Sequence, residues 1–237
     1  MSKCIIPDWP APPLIRAVST DKSTGNLASH VGDDLLKVLQ NRKRLEKNLM
    51  LNEPIKWLNQ CHSAIVLDYD QPVIDFTADA CYTARSETVC AVLTGDCLPI
   101  LLCDTQGTWV AAVHAGWRGL LRAVLLNTLE KAPTGVSLIA WLGPAISVHQ
   151  YEVGMEVREA FLKIDRAYES AFHAQMVPQK FLLDLYEVAR IQLQRKSVAV
   201  FGGEYCTYSD QRFYSYRREG QTGRQATMIW KIKNENA

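Results

Sequence analysis

Residues 93–120, LTGDCLPILLCDTQGTWVAAVHAGWRGL, constrain the fold of this chain more than any other stretch. Residues 97–103 and 109–114 are apolar runs of strand length, rich in Leu, Ile and Val, parted by the turn-forming Asp104-Thr105-Gln106-Gly107. Paired as an antiparallel hairpin, the start of the first run lies beside the end of the second. Cys97 and His114 then meet at one edge of a stiff sheet. Ala115-Gly116-Trp117-Arg118-Gly119 follows as a small-residue turn with one arginine, before a helix expected over 120–129. Strand end, glycine turn and helix start together suit an anion. A Cys beside a His admits three readings: two ligands of a zinc ion, a nucleophile with its base, or a buried pair that only packs.

The rest of the chain supplies strands and helices around that hairpin. An entry strand is expected over 14–18. A polar loop then leads to Asp33 and Asp34, which can cap a helix over 35–49 with Leu35, Leu36, Val38, Leu39, Leu45 and Leu49 on one face. Short strands are expected over 55–58 and 64–67, with His62 between them, and over 87–94. Asp75 and Asp79 precede Ala80-Cys81-Tyr82. Beyond the hairpin come a strand over 136–142, a helix over 154–163, a short helix or loop over 165–177 with His173 at the surface, an amphipathic helix over 180–195, and strands over 198–201 and 225–232. Several strands follow one another between 55 and 114. That order favours an α/β (α+β) domain of mixed or largely antiparallel sheet with helices packed outside, over a doubly wound parallel sheet. No repeat, low-complexity segment or linker divides the chain, so one domain over 1–237 is expected.

Composition narrows the function classes. Hydrophobic residues at 48% and charged residues at 22% are those of a soluble globular protein. A net charge of +1 points to neither a nucleic-acid nor an acidic-lipid surface. No apolar run approaches the ~18 residues that cross a bilayer, and the N-terminal segment does not read as a secretory signal. The seven cysteines include no C-x-x-C pair. Reduced thiols and a cytoplasmic location are therefore expected, and a structural zinc ribbon is disfavoured. G-x-G-x-x-G after a strand, the P-loop, H-E-x-x-H, G-x-S-x-G and the H-x-E with P-C-x-x-C of zinc nucleoside deaminases are all absent. What remains is a set of Cys, His, Arg and Asp residues at strand ends.

Several segments together resemble one family. TGDCLPILLCD, VAAVHAGWRGL, AWLGPAI followed by YEVG, FGGEYCTY and FYSYRREGQTGRQA are similar to the YfiH family, as are GNLASHVGDD with NRKRL, and LNQCHS. That family is also called the laccase-domain or polyphenol oxidoreductase family, and peptidoglycan editing factor. The resemblance runs in order along nearly the whole chain. It implies a single layered domain of mixed β-sheets covered by helices, and a metal site carried by His62, Cys97 and His114. Two imidazoles and a thiolate are a natural zinc set, and three protein ligands leave a position open. Copper is the alternative implied by the laccase label, but five His in the chain, two of them in these motifs, do not furnish a multicopper site.

The resemblance implies purine nucleoside chemistry: phosphorolysis of adenosine, inosine and methylthioadenosine, and deamination of adenosine. The substrates would be a purine nucleoside and phosphate, with no nucleic-acid or membrane partner, and the oligomeric state is left open. Carried over by motif, Asp96, Arg118 and Arg217 are the catalytic candidates, and Asn26, Arg218 and Arg224 the substrate-binding ones. The four arginines are candidates for a phosphate cradle. Asp96 and Asp79 are the nearest acid/base groups, and Asp96 could instead orient a ligand His. The sequence departs from the family at 19–25, a short loop without the usual Arg, at Gly95 where Ala is usual, and at Cys61 where Val is common. Competing readings are an amidase or hydrolase of cell-wall precursors using the same Cys and His, a copper-dependent phenol oxidase, and a non-catalytic binding module.

Overall fold

In the computed structural model, which describes residues 4–233, the elements run β1 (Ile15–Ser19), α1 (Leu35–Asn48), β2 (Val66–Asp68), β3 (Ala80–Thr83), β4 (Cys90–Thr94), β5 (Leu98–Asp104), β6 (Val110–Ala115), α2 (Trp117–Leu121), α3 (Val124–Leu129), β7 (Leu138–Leu142), β8 (Glu152–Gly154), α4 (Met155–Ile164), β9 (Phe172–Ala174), β10 (Lys180–Leu183), α5 (Leu185–Gln194), β11 (Ala199–Gly202), α6 (Tyr216–Glu219) and β12 (Gln225–Lys231). The two ends of the expected 1–237 domain lie outside the described residues.

The hairpin forms as its pattern demands. β5 and β6 pair antiparallel, with Leu98 opposite Ala115 and Pro99 opposite His114. They are the middle of a six-stranded sheet in the order β11-β7-β5-β6-β3-β2. Its outer pairs, β11 on β7 and β2 on β3, are parallel. A second, antiparallel sheet has the order β1-β12-β4, and a small third sheet the order β8-β10-β9.

Alternation along the strands explains why the central runs carry no polar face. Leu98, Ile100 and Leu102 of β5 pack with Val124, Leu125, Phe161 and Val188 of the helices. Leu101 and Cys103, pointing the other way, pack with Cys90, Val92, Ile15 and Ile229 of the second sheet. That sheet in turn presents Ala91, Leu93 and Met228 to a cluster with Leu27 and Leu45. The result is a stack of helices, six-stranded sheet, three-stranded sheet and α1. A strand buried on both faces needs apolar side chains at every position. Every residue of β5 and β6 is buried.

Four local expectations are corrected. Residues 55–58 form no strand, and only Asn59 bridges, to Thr77. The helix expected over 120–129 is two, because Ala123 takes a left-handed φ of 67° between α2 and α3. The helix expected over 180–195 begins only at Leu185. Lys180–Leu183 instead pairs with both β8 and β9, and Asp184 caps the helix start by accepting from Glu187 N–H at 3.0 Å. Tertiary pairing there overrides a pattern that suits either structure. On α1, capped by Asp34 as expected, Val38 and Leu45 are buried while Leu35, Leu36 and Leu39 are exposed. Helix and strand ends elsewhere shift by a few residues. Among the described residues no helix is long and apolar enough to cross a membrane.

Candidate metal centre

Cys97 precedes β5 and His114 is the penultimate residue of β6, so the register of the hairpin sets them side by side. His62 joins them from the loop before β2. One donor atom from each of the three lies within 4.8 Å of the others. Among the described residues this is the only such group of three or more metal-ligating side chains. Cys97 Sγ and His62 Nε2 are 3.7 Å apart, against the ~3.6 Å spanned by a sulfur and a nitrogen on one tetrahedral zinc. The two imidazoles meet edge to face with centroids 4.8 Å apart. Gly116 closes the floor: a Cβ there would stand 2.8 Å from Cys97 Sγ and 3.1 Å from His62 Cδ2. Two imidazoles and a thiol, packed so that only glycine fits beneath them, could hold a metal ion.

Asp79 builds this group. It is fully buried, and its Oδ1 accepts the N–H of His62 at 2.9 Å and contacts His114 Nδ1 at 2.8 Å. Its Oδ2 accepts from Ser63 N–H at 2.5 Å, Ser63 Oγ at 2.7 Å and Cys61 N–H at 3.3 Å. Three successive N–H groups thus wrap one carboxylate. They hold His62 at a φ of 59°, a left-handed conformation uncommon outside glycine. With Nδ1 turned to Asp79, His114 offers Nε2 to the centre. Arg122 fixes the same loop by donating to the His62 carbonyl at 2.9 Å. Gln60 ties it to β4 through both the N–H and the carbonyl of Leu93.

The electrostatics follow. Burial works against charge on Asp79, but His114 and the Ser63 donors outweigh it and hold the carboxyl well below the usual carboxylate range. Burial also opposes charge on His114, yet the Cys97 and Asp79 anions raise it to about 9. Burial likewise disfavours the Cys97 thiolate, while His114 and His62 bring the thiol down to about 6. The two groups thus favour each other's charged form, Cys97 toward thiolate and His114 toward imidazolium.

Above the centre lies a cavity of about 430 Å³. Arg118, Arg217 and Arg224 line it together with one carboxylate, Asp96. Arg118 is exposed and stacks on Trp117, 4.3 Å from the ring centre. Arg217 donates to the Glu152 carbonyl at 3.1 and 3.2 Å and lies over Tyr151. Asp96 accepts from Thr207 Oγ1 and from Arg217 N–H, each at 2.6 Å, so it anchors the Thr207 turn and the start of α6 at the cavity. The orienting of a ligand histidine, considered above for Asp96, falls to Asp79.

Two expected substrate-binding residues stand elsewhere. Arg218 does not line the cavity; its guanidinium donates to the carbonyls of Thr207, Tyr208 and Phe213 and to Glu219. Asn26 is buried and accepts the N–H groups of Ala28 and Arg224, so it positions the Arg224 backbone. Sequence reasoning passed over other cavity residues: His30, Thr94, Tyr151 and Tyr216. Burial, then the Cys97 charge, raises the Tyr151 phenol, which stays a neutral O–H. All four lie in the family-like segments, Thr94 in TGDC, His30 in GNLASHVGDD, Tyr151 in YEVG and Tyr216 in FYSYRREG, but only the fold brings those separate segments to one cavity.

The layered α/β fold thus carries a two-histidine, one-cysteine group under a cavity lined by three arginines. Over residues 16–232 the chain matches the family described as multi-copper polyphenol oxidoreductase laccase, and it belongs to that family. It is 44% identical to a purine nucleoside phosphorylase of Pseudomonas aeruginosa, over 97% of this chain and 99% of that protein. It is also 44% identical to the purine nucleoside phosphorylase YfiH of Escherichia coli K12, over 98% of this chain and all of that one. The crystal structure of the Neisseria meningitidis protein NMB0706 superposes with a TM-score of 0.90 at 40% identity, covering 97% of this chain and 99% of that one.

Proposed function

We infer that this protein is a zinc-dependent purine nucleoside phosphorylase, acting as one domain on adenosine, inosine and S-methyl-5'-thioadenosine. The observation that carries the reading is the three-ligand group beneath a cavity lined by three arginines, in a chain whose full-length relatives are named for that activity. His62, Cys97 and His114 would hold the metal, which when bound supplies Lewis-acid polarisation of a substrate atom. Two neutral imidazoles and one thiolate suit zinc, and the single three-ligand group among the described residues does not furnish a multicopper centre.

The chain's own residues account for the rest of the chemistry. In phosphorolysis an oxygen of hydrogen phosphate bonds to C1' of the nucleoside and the C1'–N9 bond breaks. Its electron pair leaves with the purine, and the proton of hydrogen phosphate ends on the purine. Guanidinium groups lining a partly enclosed cavity gather the phosphate and stabilise the charge that moves through the transition state. Asp79 fixes the direction of His114 and the fold of the His62 loop, so the centre is preorganised. Asp96 holds Arg217 at the wall through its backbone N–H.

The test is elemental analysis followed by adenosine turnover with and without phosphate. About one zinc per chain, with adenine formed only when phosphate is present, is the expected result. Inosine formed without phosphate would mark deamination instead. The closeness of Cys97 Sγ to His62 Nε2, 3.7 Å, with the thiol pulled down by His114 and His62, favours a second reading, a Cys97 nucleophile in amide hydrolysis. In that case Cys97 alkylates at the same rate with and without zinc, whereas a metal ligand is protected.

A further inference from the structure

The three cavity arginines are not equivalent. Arg118 is exposed, and its guanidinium has no hydrogen bond among the described residues and is held only against Trp117. Arg217 spends both terminal nitrogens on the Glu152 carbonyl. Arg224 is half-buried, and its Nη1 donates to the carbonyls of Thr222 at 2.8 Å and Gly223 at 2.9 Å. Its backbone is fixed on both sides, N–H to Asn26 Oδ1 at 2.9 Å and carbonyl from Leu27 N–H at 3.2 Å. Its stem lies against Gly95, where a Cβ would come within 3.1 Å of Cδ. Nε and Nη2 are left without partners among the described residues.

That Nε–Nη2 edge is the face with which a guanidinium grips two oxygens at once. It is already immobilised and partly desolvated, so binding costs little ordering and the charge is weakly screened. A second observation falls at the same place. Thr94 lines the cavity at the end of β4, one residue before Gly95, and its buried hydroxyl has no hydrogen-bond partner. Such orphans in native proteins call for an explanation, and an oxygen bound in the cavity would supply a partner. His30 lines the same cavity, with its pKa lowered by desolvation and then by Arg224. The one carboxylate of the cavity, Asp96, has both oxygens occupied.

We propose that Arg224 and Thr94 form the phosphoryl-oxyanion subsite of this cavity and that its occupant is free inorganic phosphate. The assignment rests on the phosphorolysis reading for its biological meaning, but binding can be measured without turnover. Zinc-loaded full-length protein is titrated calorimetrically with inorganic phosphate, and with adenosine 5'-monophosphate, in wild type, Arg224→Gln and Thr94→Val. In parallel, the KM values for phosphate and adenosine are measured.

Loss of a charged, two-pronged contact in Arg224→Gln should weaken phosphate binding and raise its KM by about tenfold to hundredfold, and loss of one hydroxyl contact by about threefold to tenfold. The adenosine KM should move by less than about twofold in either variant, since neither removes a nucleoside contact under this proposal. Thr94→Val deletes a hydroxyl that bonds to nothing, so its fold survives even if Arg224→Gln does not. Phosphate binding as tight in Thr94→Val as in wild type, or absent from wild type, overturns the subsite. Tighter Arg224-dependent binding of the monophosphate than of phosphate overturns free phosphate as the occupant. Phosphate-independent splitting of adenosine would refute phosphorolysis while the calorimetry still decides the subsite.

Discussion

Replacing Asp79 by Asn keeps the side-chain shape and removes one acceptor. Oδ1 faces the N–H of His62 and Nδ1 of His114, while Oδ2 faces Ser63 and Cys61. The new amide NH2 must oppose one of these donor sets. On the Oδ1 side it forces His114 to accept at Nδ1 and carry its proton on Nε2, the atom the metal needs. On the Oδ2 side it breaks the turn that presents His62. Either way two or more hydrogen bonds to a charged group are lost, each worth about 1.5–3 kcal/mol, so the metal-free protein should lose on the order of 3–5 kcal/mol. Zinc affinity should fall about 10- to 100-fold, the usual effect of removing an orienting partner of a ligand histidine. Competition with a chromogenic chelator gives the affinity, denaturant unfolding of the metal-free protein gives the stability, and nitrogen-15 NMR of His114 reads its tautomer. Zinc affinity within about twofold of wild type, with the Nδ1–H signal intact, would refute the reasoning.

Four further outcomes follow from the same geometry. His114→Ala and Cys97→Ala should each abolish zinc retention and nucleoside turnover while circular dichroism shows the fold retained; full activity in metal-free Cys97→Ala would sink the ligand set. Gly116→Ala places a methyl 2.8 Å from Cys97 Sγ, and zinc affinity should drop about tenfold in the same competition assay. The Asp79 carboxyl is held below its ordinary value of 3.8, so its contribution to stability is present above that pH and lost as pH falls below it. Acid unfolding of the metal-free protein should show that loss, and Asp79→Asn should flatten it. Arg118→Ala should raise the phosphate KM by about two- to threefold, an effect that shrinks as salt is added, because an exposed guanidinium acts through a screened field.

Much of this was legible in the sequence. Two apolar runs without a polar face, joined by Asp104-Thr105-Gln106-Gly107, specified a hairpin buried on both sides and hence the meeting of Cys97 with His114. The resemblance of long motifs added His62 and the layered fold. Less legible were segments whose pattern serves two structures. Residues 180–183 fit the apolar stripe of a helix but became a strand between β8 and β9, and Leu35, Leu36 and Leu39 fit a buried stripe yet face outward. Periodicity states which residues can share a face, not what will cover that face.

The sequence by itself determined the local chemistry: which residues can ligate a metal, where turns fall, and which strands need cover on both sides. Only the tertiary structure decided how that chemistry is shared out. It gave Asp79 the work of orienting His114 and bending the His62 loop, set Arg218 to holding backbone carbonyls, and left Arg224 with an unpartnered edge among the described residues in the cavity that Thr94, with its orphan hydroxyl, also lines. A side chain's role depends on which partners reach its donors and acceptors first. Those partners, 198 residues apart in the pairing of Asn26 with Arg224, are brought together only when the sheets and helices stack.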